Sequence, residues 1–240
     1  MIESENKVQA VIFDYDGTLL DSMPAWHTLE KDLAWMSGVT LSFEERQHIN
    51  SFTLAQLVSY FHTVYGIGKS YETLYDQALR QLHHHYQTIV APRAGAIGFV
   101  EQLHNDNITL AVVSASPLSL LEAGLKRFGI YDFFDLIISA DKEGESKENP
   151  HFLLSVAERL HVDPSHTWCI DDSVYALKTM NKVGFKTLGI YDSDTAGTWK
   201  ELEECADAVI NGFDSITYEA FLGTDRTTQP QTPCSEHIPA

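Results

Sequence analysis

Val8-Gln9-Ala10-Val11-Ile12-Phe13-Asp14-Tyr15-Asp16-Gly17-Thr18-Leu19-Leu20-Asp21-Ser22 is the stretch that decides the fold. Val8 to Phe13 is apolar except for Gln9, the pattern of a strand buried on both faces of a parallel sheet. Gly17 marks a turn directly after it. Two carboxylates, Asp14 and Asp16, therefore stand at the carboxyl end of a strand, where open α/β sheets bind ligands. Groups of like charge one residue apart repel each other and need a counter-charge, most simply a divalent cation held by oxygen ligands.

Outward from this stretch the pattern changes after Asp21-Ser22-Met23-Pro24. From Trp26 to about Val90, apolar residues recur at spacings of three and four, and no segment reads as a strand. Trp26, Leu29, Leu33 and Met36 form one such series; Leu54, Leu57, Val58 and Phe61 form another. Ser37-Gly38 and Gly66-Ile67-Gly68 break these helices, and Ser42 followed by Glu45 is a capping box that opens one. After Ala91-Pro92-Arg93-Ala94-Gly95, strands are expected at 108–113, 136–139, 167–170, 185–190 and 208–210, with helices at 117–128, 150–160 and 173–182. That alternation argues for an α/β fold with a doubly wound, Rossmann-like parallel sheet. The expected division is a core of residues 1–21 and 91–222 and an all-helical insertion of residues 22–90. Pro24 and Pro92–Gly95 would flank the insertion as two hinge strands, and the polar, Pro- and Thr-rich stretch 223–240 reads as a disordered tail.

Three further polar sites fall just past predicted strands. Ser114 ends Leu110-Ala111-Val112-Val113, where a hydroxyl and the N–H groups of the next helix can bind a phosphate oxygen. Taken alone it reads more readily as a helix cap, with Ser116 before Pro117 an especially good cap. Lys147 precedes a helix expected to start at Pro150 and can reach back toward a phosphate, although alone it reads as a solvated Lys. Asp171-Asp172-Ser173 closes Thr167-Trp168-Cys169-Ile170. Asp172 or Ser173 can cap the next helix, but with Asp14 and Asp16 these acids would complete an oxygen cage for Mg²⁺. His83-His84-His85 points three ways on a helix and reads as surface rather than as one metal site. Trp26, His27 and Trp35 read as core and rim of the insertion, and Cys169 as a small hydrophobe in a buried strand.

In order and spacing, Asp14/Asp16, Ser114, Lys147 and Asp171/Asp172 resemble the motifs of the haloacid dehalogenase (HAD) superfamily: a nucleophile Asp, a Ser or Thr, a Lys and an acidic pair, each after a strand. The resemblance covers about residues 8–220. The insertion lies between the first and second motifs, as in the C1-cap subclass, which contains phosphoglycolate phosphatase-like enzymes, β-phosphoglucomutases and phosphonatases. The chain departs from the family at Glu148, where Pro is frequent, and at Ala176, where Gly is common.

What the resemblance implies is a Mg²⁺-dependent phosphatase that hydrolyses a small phosphorylated metabolite through an aspartyl phosphate. Asp14 would be the nucleophile and Asp16 the general acid and base. Lys147 and Ser114 would stabilise the phosphoryl oxygens, with Thr18 holding the loop. Mg²⁺ would be held by Asp14, the Asp16 backbone carbonyl and Asp172, with Asp171 bound directly or through a water. Asn50, Ser51 and Thr53 are the cap residues expected to meet substrate. A β-phosphoglucomutase-type enzyme is the first alternative. Such enzymes carry a cap-hinge His ten residues after the second Asp, where this chain has Trp26 beside His27, and a cap Arg that is missing around Asn50-Ser51-Phe52-Thr53-Leu54. Dehalogenases lack the second Asp, and a phosphonatase needs a cap Lys, for which Lys31 is the candidate. A non-catalytic scaffold that binds a metabolite or protein is the remaining alternative.

Composition fits this reading. The 240 residues are 44% hydrophobic, ample for a core, and the formal net charge of −18 opposes binding to nucleic acid or anionic membranes. Cys169, Cys205 and Cys234 are few, scattered and odd in number, which argues against a disulfide framework or a zinc site. The first seven residues are polar and do not read as a signal peptide. A soluble cytoplasmic protein is expected, with its oligomeric state open.

Overall fold

In the computed structural model, which describes residues 8–49, 52–192 and 197–223, the quoted stretch forms strand β1 (Ala10–Phe13). Val11 and Phe13 pack into one hydrophobic cluster and Ile12 into a second on the opposite face, as expected of a strand covered on both sides. A two-residue strand β2 (Leu20–Asp21) follows. Four helices make the insertion: α1 (Met23–Met36), α2 (Phe43–Ile49), α3 (Leu54–Tyr65) and α4 (Tyr71–Thr88). The chain returns through β3 (Ala91–Pro92). It then runs α5 (Ala96–Asn105), β4 (Thr109–Ser114), α6 (Leu118–Arg127), β5 (Leu136–Ser139), α7 (Ala140–Glu143), α8 (Pro150–Leu160), β6 (Thr167–Asp171), α9 (Val174–Lys182), β7 (Lys186–Ile190), α10 (Trp199–Cys205), β8 (Ala208–Ile210) and α11 (Tyr218–Gly223).

Six strands form one parallel sheet in the order β5-β4-β1-β6-β7-β8. The chain moves from β1 to one side for β4 and β5, then crosses to the other side for β6, β7 and β8. The reversal leaves a crevice at the carboxyl ends of β1, β4 and β6, the place where doubly wound sheets bind ligands. Phe13 anchors the strand below this crevice, with edge-on contacts to Phe99 and Phe134 at ring separations of 6.4 and 6.2 Å. Such pairs add roughly 0.5–1.5 kcal/mol beyond burial alone.

The hinge differs from expectation. Its strands are Leu20–Asp21 and Ala91–Pro92, paired antiparallel, whereas Pro24 sits in the first turn of α1, where a missing N–H costs nothing. Arg93, just past β3, ties the hinge to the core by donating to the Tyr191 and Asn211 carbonyls at 2.8 and 3.2 Å and pairing with Asp192. The carboxyl end of α4 is also fastened to the core. Arg127 of α6 donates to the carbonyls of Tyr86 at 3.0 Å and Val90 at 2.6 Å.

Met36, expected inside, is exposed because its helix ends at Ser37 before the stripe closes. Helices α5, α7, α10 and α11 are additions to the sequence reading. In α5, Ala96, Phe99, Val100 and Leu103 form an unbroken buried stripe, but Gly98 sits on the exposed face, and an interior Gly costs a helix about 1 kcal/mol relative to Ala. Gly223, assigned to the tail, closes α11; the rest of the expected tail, 224–240, lies outside the described residues. Among the described residues, no helix is long and apolar enough to cross a membrane.

Candidate active site

Asp14 directly follows β1, and its N–H donates to the Ile170 carbonyl at 2.8 Å, so its backbone is held by β6. Phe13 pairs with Ile170, which brings Asp14 and Asp171 out of adjacent strand ends. Asp14, Asp171 and Asp172 are all buried, and their oxygens lie within 4.8 Å of one another. Lys147, 5% exposed, reaches in from the loop before α8 and donates to Asp14 at 2.6 Å and Asp171 at 2.7 Å. The loop is positioned by α8, which starts at Pro150 and is capped by Asn149 accepting from the His151 N–H at 3.0 Å. Glu148, the departure noted in the sequence, is exposed and not part of the cavity lining.

One ammonium against three buried carboxylates leaves an excess of negative charge. Burial pushes the Asp14 pKa up to about 7; Lys147 opposes this, and the Asp171 charge adds to it. Burial, with Asp14 and Asp171, holds Asp172 well above the ordinary carboxylate range. Burial works against the Lys147 charge, but Asp14 and Asp171 outweigh it and hold its pKa well above the usual value. Three crowded oxygen donors and unrelieved negative charge fit a hard divalent cation such as Mg²⁺. Among the described residues, the His83-His84-His85 tract forms no comparable group.

Asp16 has different surroundings. Gly17 takes a positive φ of 80°, which a side chain would resist, and the chain doubles back so that the Leu19 and Leu20 N–H groups both meet the Tyr15 carbonyl. Among the described residues, the donors to the Asp16 carboxylate are hydroxyls. Ser22 donates to Oδ1 at 2.6 Å, and Tyr86 of α4 donates to the same oxygen. Ser116 donates to Oδ2 at 2.5 Å, with Ser114 at 3.4 Å. The Asp16 side chain stands outside the Asp14–Asp171–Asp172 group.

The expected cap role of Ser116 is corrected. Pro117 occupies the N-cap position of α6 without a side-chain cap bond, and the Ser116 hydroxyl turns to Asp16. Ser173, weighed as a cap for α9, sits at the N-cap position but donates its hydroxyl to Asp171 instead. Thr18 is fully buried, does not line the cavity, and its Oγ1 has no hydrogen-bond partner among the described residues. It belongs to the loop's interior rather than to a surface that substrate can touch.

A cavity of about 170 Å³ joins these groups to the cap. Core residues Asp14, Asp16, Ser114, Ser116, Lys147 and Asp172 form its floor, and Met23, Trp26, Glu30, Phe52 and Thr53 face them from the cap side. Thr53 lines the cavity while its hydroxyl accepts from the Gln56 N–H in a capping box. Asn50 and Ser51 lie outside the described residues. Trp26 is buried as expected, Trp35 is 83% exposed, and Lys31 is exposed.

Tyr86, Ser116 and Ser22 are the partners of Asp16 that sequence reasoning missed. A signal existed for Tyr86: Leu74, Ala78, Leu82 and Tyr86 form one buried stripe along α4, and a phenol ending such a stripe needs a polar partner.

The model for "haloacid dehalogenase-like hydrolase" matches residues 11–190 of the chain. Hexitol phosphatase B of Escherichia coli K12 is 28% identical over 178 residues, covering 72% of this chain and 79% of that protein. A phosphoglycolate phosphatase of Rhodobacter capsulatus is 28% identical over 179 residues, covering 73% and 80%. Among solved structures, a β-phosphoglucomutase from Clostridium difficile superposes with a TM-score of 0.72 at 19% identity, covering 89% of this chain and 95% of that one. At that identity the likeness speaks for the fold alone.

Proposed function

The chain belongs to the haloacid dehalogenase-like hydrolase family, and from that premise we propose that it is a Mg²⁺-dependent phosphatase of small phosphate monoesters. The observation that carries the reading is the presence in one cavity of Asp14, paired with Lys147, and a hydroxyl-held Asp16. Asp14 attacks phosphorus in line, the ester P–O bond breaks, and the phosphoryl group passes to the Asp14 carboxylate. Asp16 gives its proton to the departing alkoxide, then takes one from the water that hydrolyses the aspartyl phosphate. Lys147 neutralises the phosphoryl oxygens as charge spreads over them, and Ser114 with the backbone N–H groups after β4 donates to them. Asp14, Asp172 and the Asp16 carbonyl, supported by Asp171, would hold Mg²⁺. When bound, the metal supplies positive charge that lets a carboxylate and a phosphate approach each other.

The cap side of the cavity bears on the leaving group. Glu30 is its charged group, half-buried, and burial raises its pKa although His27, Arg46 and Lys31 pull the other way. Lys147 is the one cation among the described lining residues, and Asn50 and Ser51 are uncharged by type. A leaving group with its own carboxylate or second phosphate would meet Glu30 without a partner. A polyol or sugar alcohol would offer hydroxyls to Glu30 and an apolar face to Trp26. This favours chemistry like that named for hexitol phosphatase B over that named for the phosphoglycolate phosphatase.

The mutase alternative is weakened by Trp26, whose indole is committed to Tyr86 rather than offering a proton-transfer group. The experiment is an acid quench during turnover of a hexitol phosphate, followed by mass spectrometry. A phosphoryl group on the peptide bearing Asp14 is expected; turnover that never labels that peptide would defeat the proposal.

A further inference from the structure

We propose that Tyr86, on the last helix of the cap, is a positioning residue for Asp16 and makes proton transfer depend on the docking of that helix against the core; this rests on the phosphatase reading above.

The contacts form a chain. Trp26 Nε1 donates to Tyr86 Oη at 3.0 Å, and Tyr86 Oη donates in turn to Asp16 Oδ1. The phenol thus has an incoming and an outgoing hydrogen bond, which fixes the direction of its own proton. Ser22 donates to the same carboxylate oxygen at 2.6 Å. Two donors on Oδ1 orient the carboxylate and leave Oδ2, held by Ser116 and more loosely by Ser114, as the oxygen turned to the cavity floor. When substrate enters, those two serines can turn to its phosphoryl oxygens. Oδ2 then carries the proton that Asp16 gives to the leaving-group oxygen, while Tyr86 and Ser22 keep Oδ1 in place.

Tyr86 is built to hold its position. It is fully buried and is not one of the cavity-lining residues, so substrate does not touch it. Its ring stacks on Tyr15 at 5.9 Å, and Tyr15 Oη donates to the Leu120 and Leu121 carbonyls at 3.1 and 3.2 Å. Gly124 permits that contact, since a Cβ there would overlap Tyr15 Oη. The carbonyl of Tyr86 accepts from Arg127 of α6. By sequence Tyr86 belongs to the cap; by contact it belongs to the core.

Leaving-group dependence provides the test. Release of p-nitrophenolate needs no proton, whereas release of an alkoxide does, so only the second requires Asp16 in the phosphoryl-transfer step. Tyr86→Phe should lower kcat/KM for a hexitol phosphate by at least about tenfold, part of what a positioned general acid supplies. For p-nitrophenyl phosphate it should leave kcat/KM within about twofold of wild type. An equal loss on both substrates would reduce Tyr86 to a structural role, and no loss on either would remove it from the mechanism. If Tyr86→Phe does not fold, Arg127→Lys, which loosens the end of α4, is measured by the same ratio and should shift it in the same direction; an unchanged ratio overturns the proposal. A wild-type protein inactive on both esters is a separate result and would defeat the phosphatase reading beneath it.

Discussion

Helices whose opening residue reaches a site aspartate are built differently from those whose opening residue does not. With no site aspartate in reach, α3, α4, α7 and α10 open with Thr53, Ser70, Ser139 and Thr198, each of which accepts a hydrogen bond from its own helix, although Thr53 lines the cavity and Ser139 ends β5 beside Ser114. With one in reach, α1 and α9 also open with serines, Ser22 and Ser173, yet neither makes a side-chain cap bond. Their hydroxyls go to Asp16 and Asp171. An N-cap bond is worth about 1 kcal/mol, so each of these helix starts gives up local stability for the orientation of a carboxylate. Residue type and position alone would assign Ser22, Ser173 and Ser70 the same task, and what separates them is the presence of a site aspartate within reach.

Lys147 offers the largest test of that contrast. It reaches the site from the loop before α8, a helix that keeps its own Asn149 cap, so the site takes a charge there without taking the cap. Lys147→Ala should lower kcat by roughly 10²–10³-fold, the scale for losing one donor to transition-state charge. It should also destabilise the metal-free protein by about 3–5 kcal/mol near neutral pH, because Asp14 and Asp171 lose their buried counter-charge. Retained activity would place the chemistry elsewhere.

Paired serine substitutions come next. Ser22→Ala should cut kcat by about tenfold while shifting the melting temperature little, since no helix cap is lost. Ser70→Ala should do the reverse, costing about 1 kcal/mol in urea unfolding with kcat unchanged. Equal behaviour of the two variants would erase the distinction between the two kinds of helix start.

Proton linkage gives a third, smaller effect. In the folded protein Asp14 keeps its proton to about pH 7, whereas its ordinary value is 3.8. Between those values the folded state binds more protons than the unfolded one, so this group's contribution is full below pH ~4 and is lost as pH rises through about 7. In EDTA the melting temperature should reflect that loss, and the stabilisation by Mg²⁺ should grow over the same window. A Mg²⁺ effect independent of pH would count against Asp14 as a ligand.

The smallest effect expected is on selectivity. Glu30→Gln should raise kcat/KM for phosphoglycolate relative to a hexitol phosphate by a few-fold, because one repulsive charge leaves the cavity. An unchanged ratio would remove Glu30 from substrate choice.

Much of the core half of the site was legible because its residues follow strands. An apolar run fixes where a strand ends, and the parallel sheet then gathers Asp14, Ser114 and Asp171 at one edge. Lys147 was legible through Pro150, which marks the helix start that aims it. The cap half was harder to read. Tyr86 reaches Asp16 across seventy residues, through the docking of α4 on α6, and no local period encodes that. Ser116 was misread for a related reason: a serine before a proline has the form of a cap, and only the folded chain shows that Asp16 competes for its hydroxyl.

Phosphate release from p-nitrophenyl phosphate, compared for wild type and Asp14→Asn with Mg²⁺ or with EDTA, bears most directly on the whole account. Release by wild type with Mg²⁺, lost in EDTA and lost in the folded Asp14→Asn protein, is the predicted result. Release that survives either change would contradict an Asp14 nucleophile working beside a bound divalent cation.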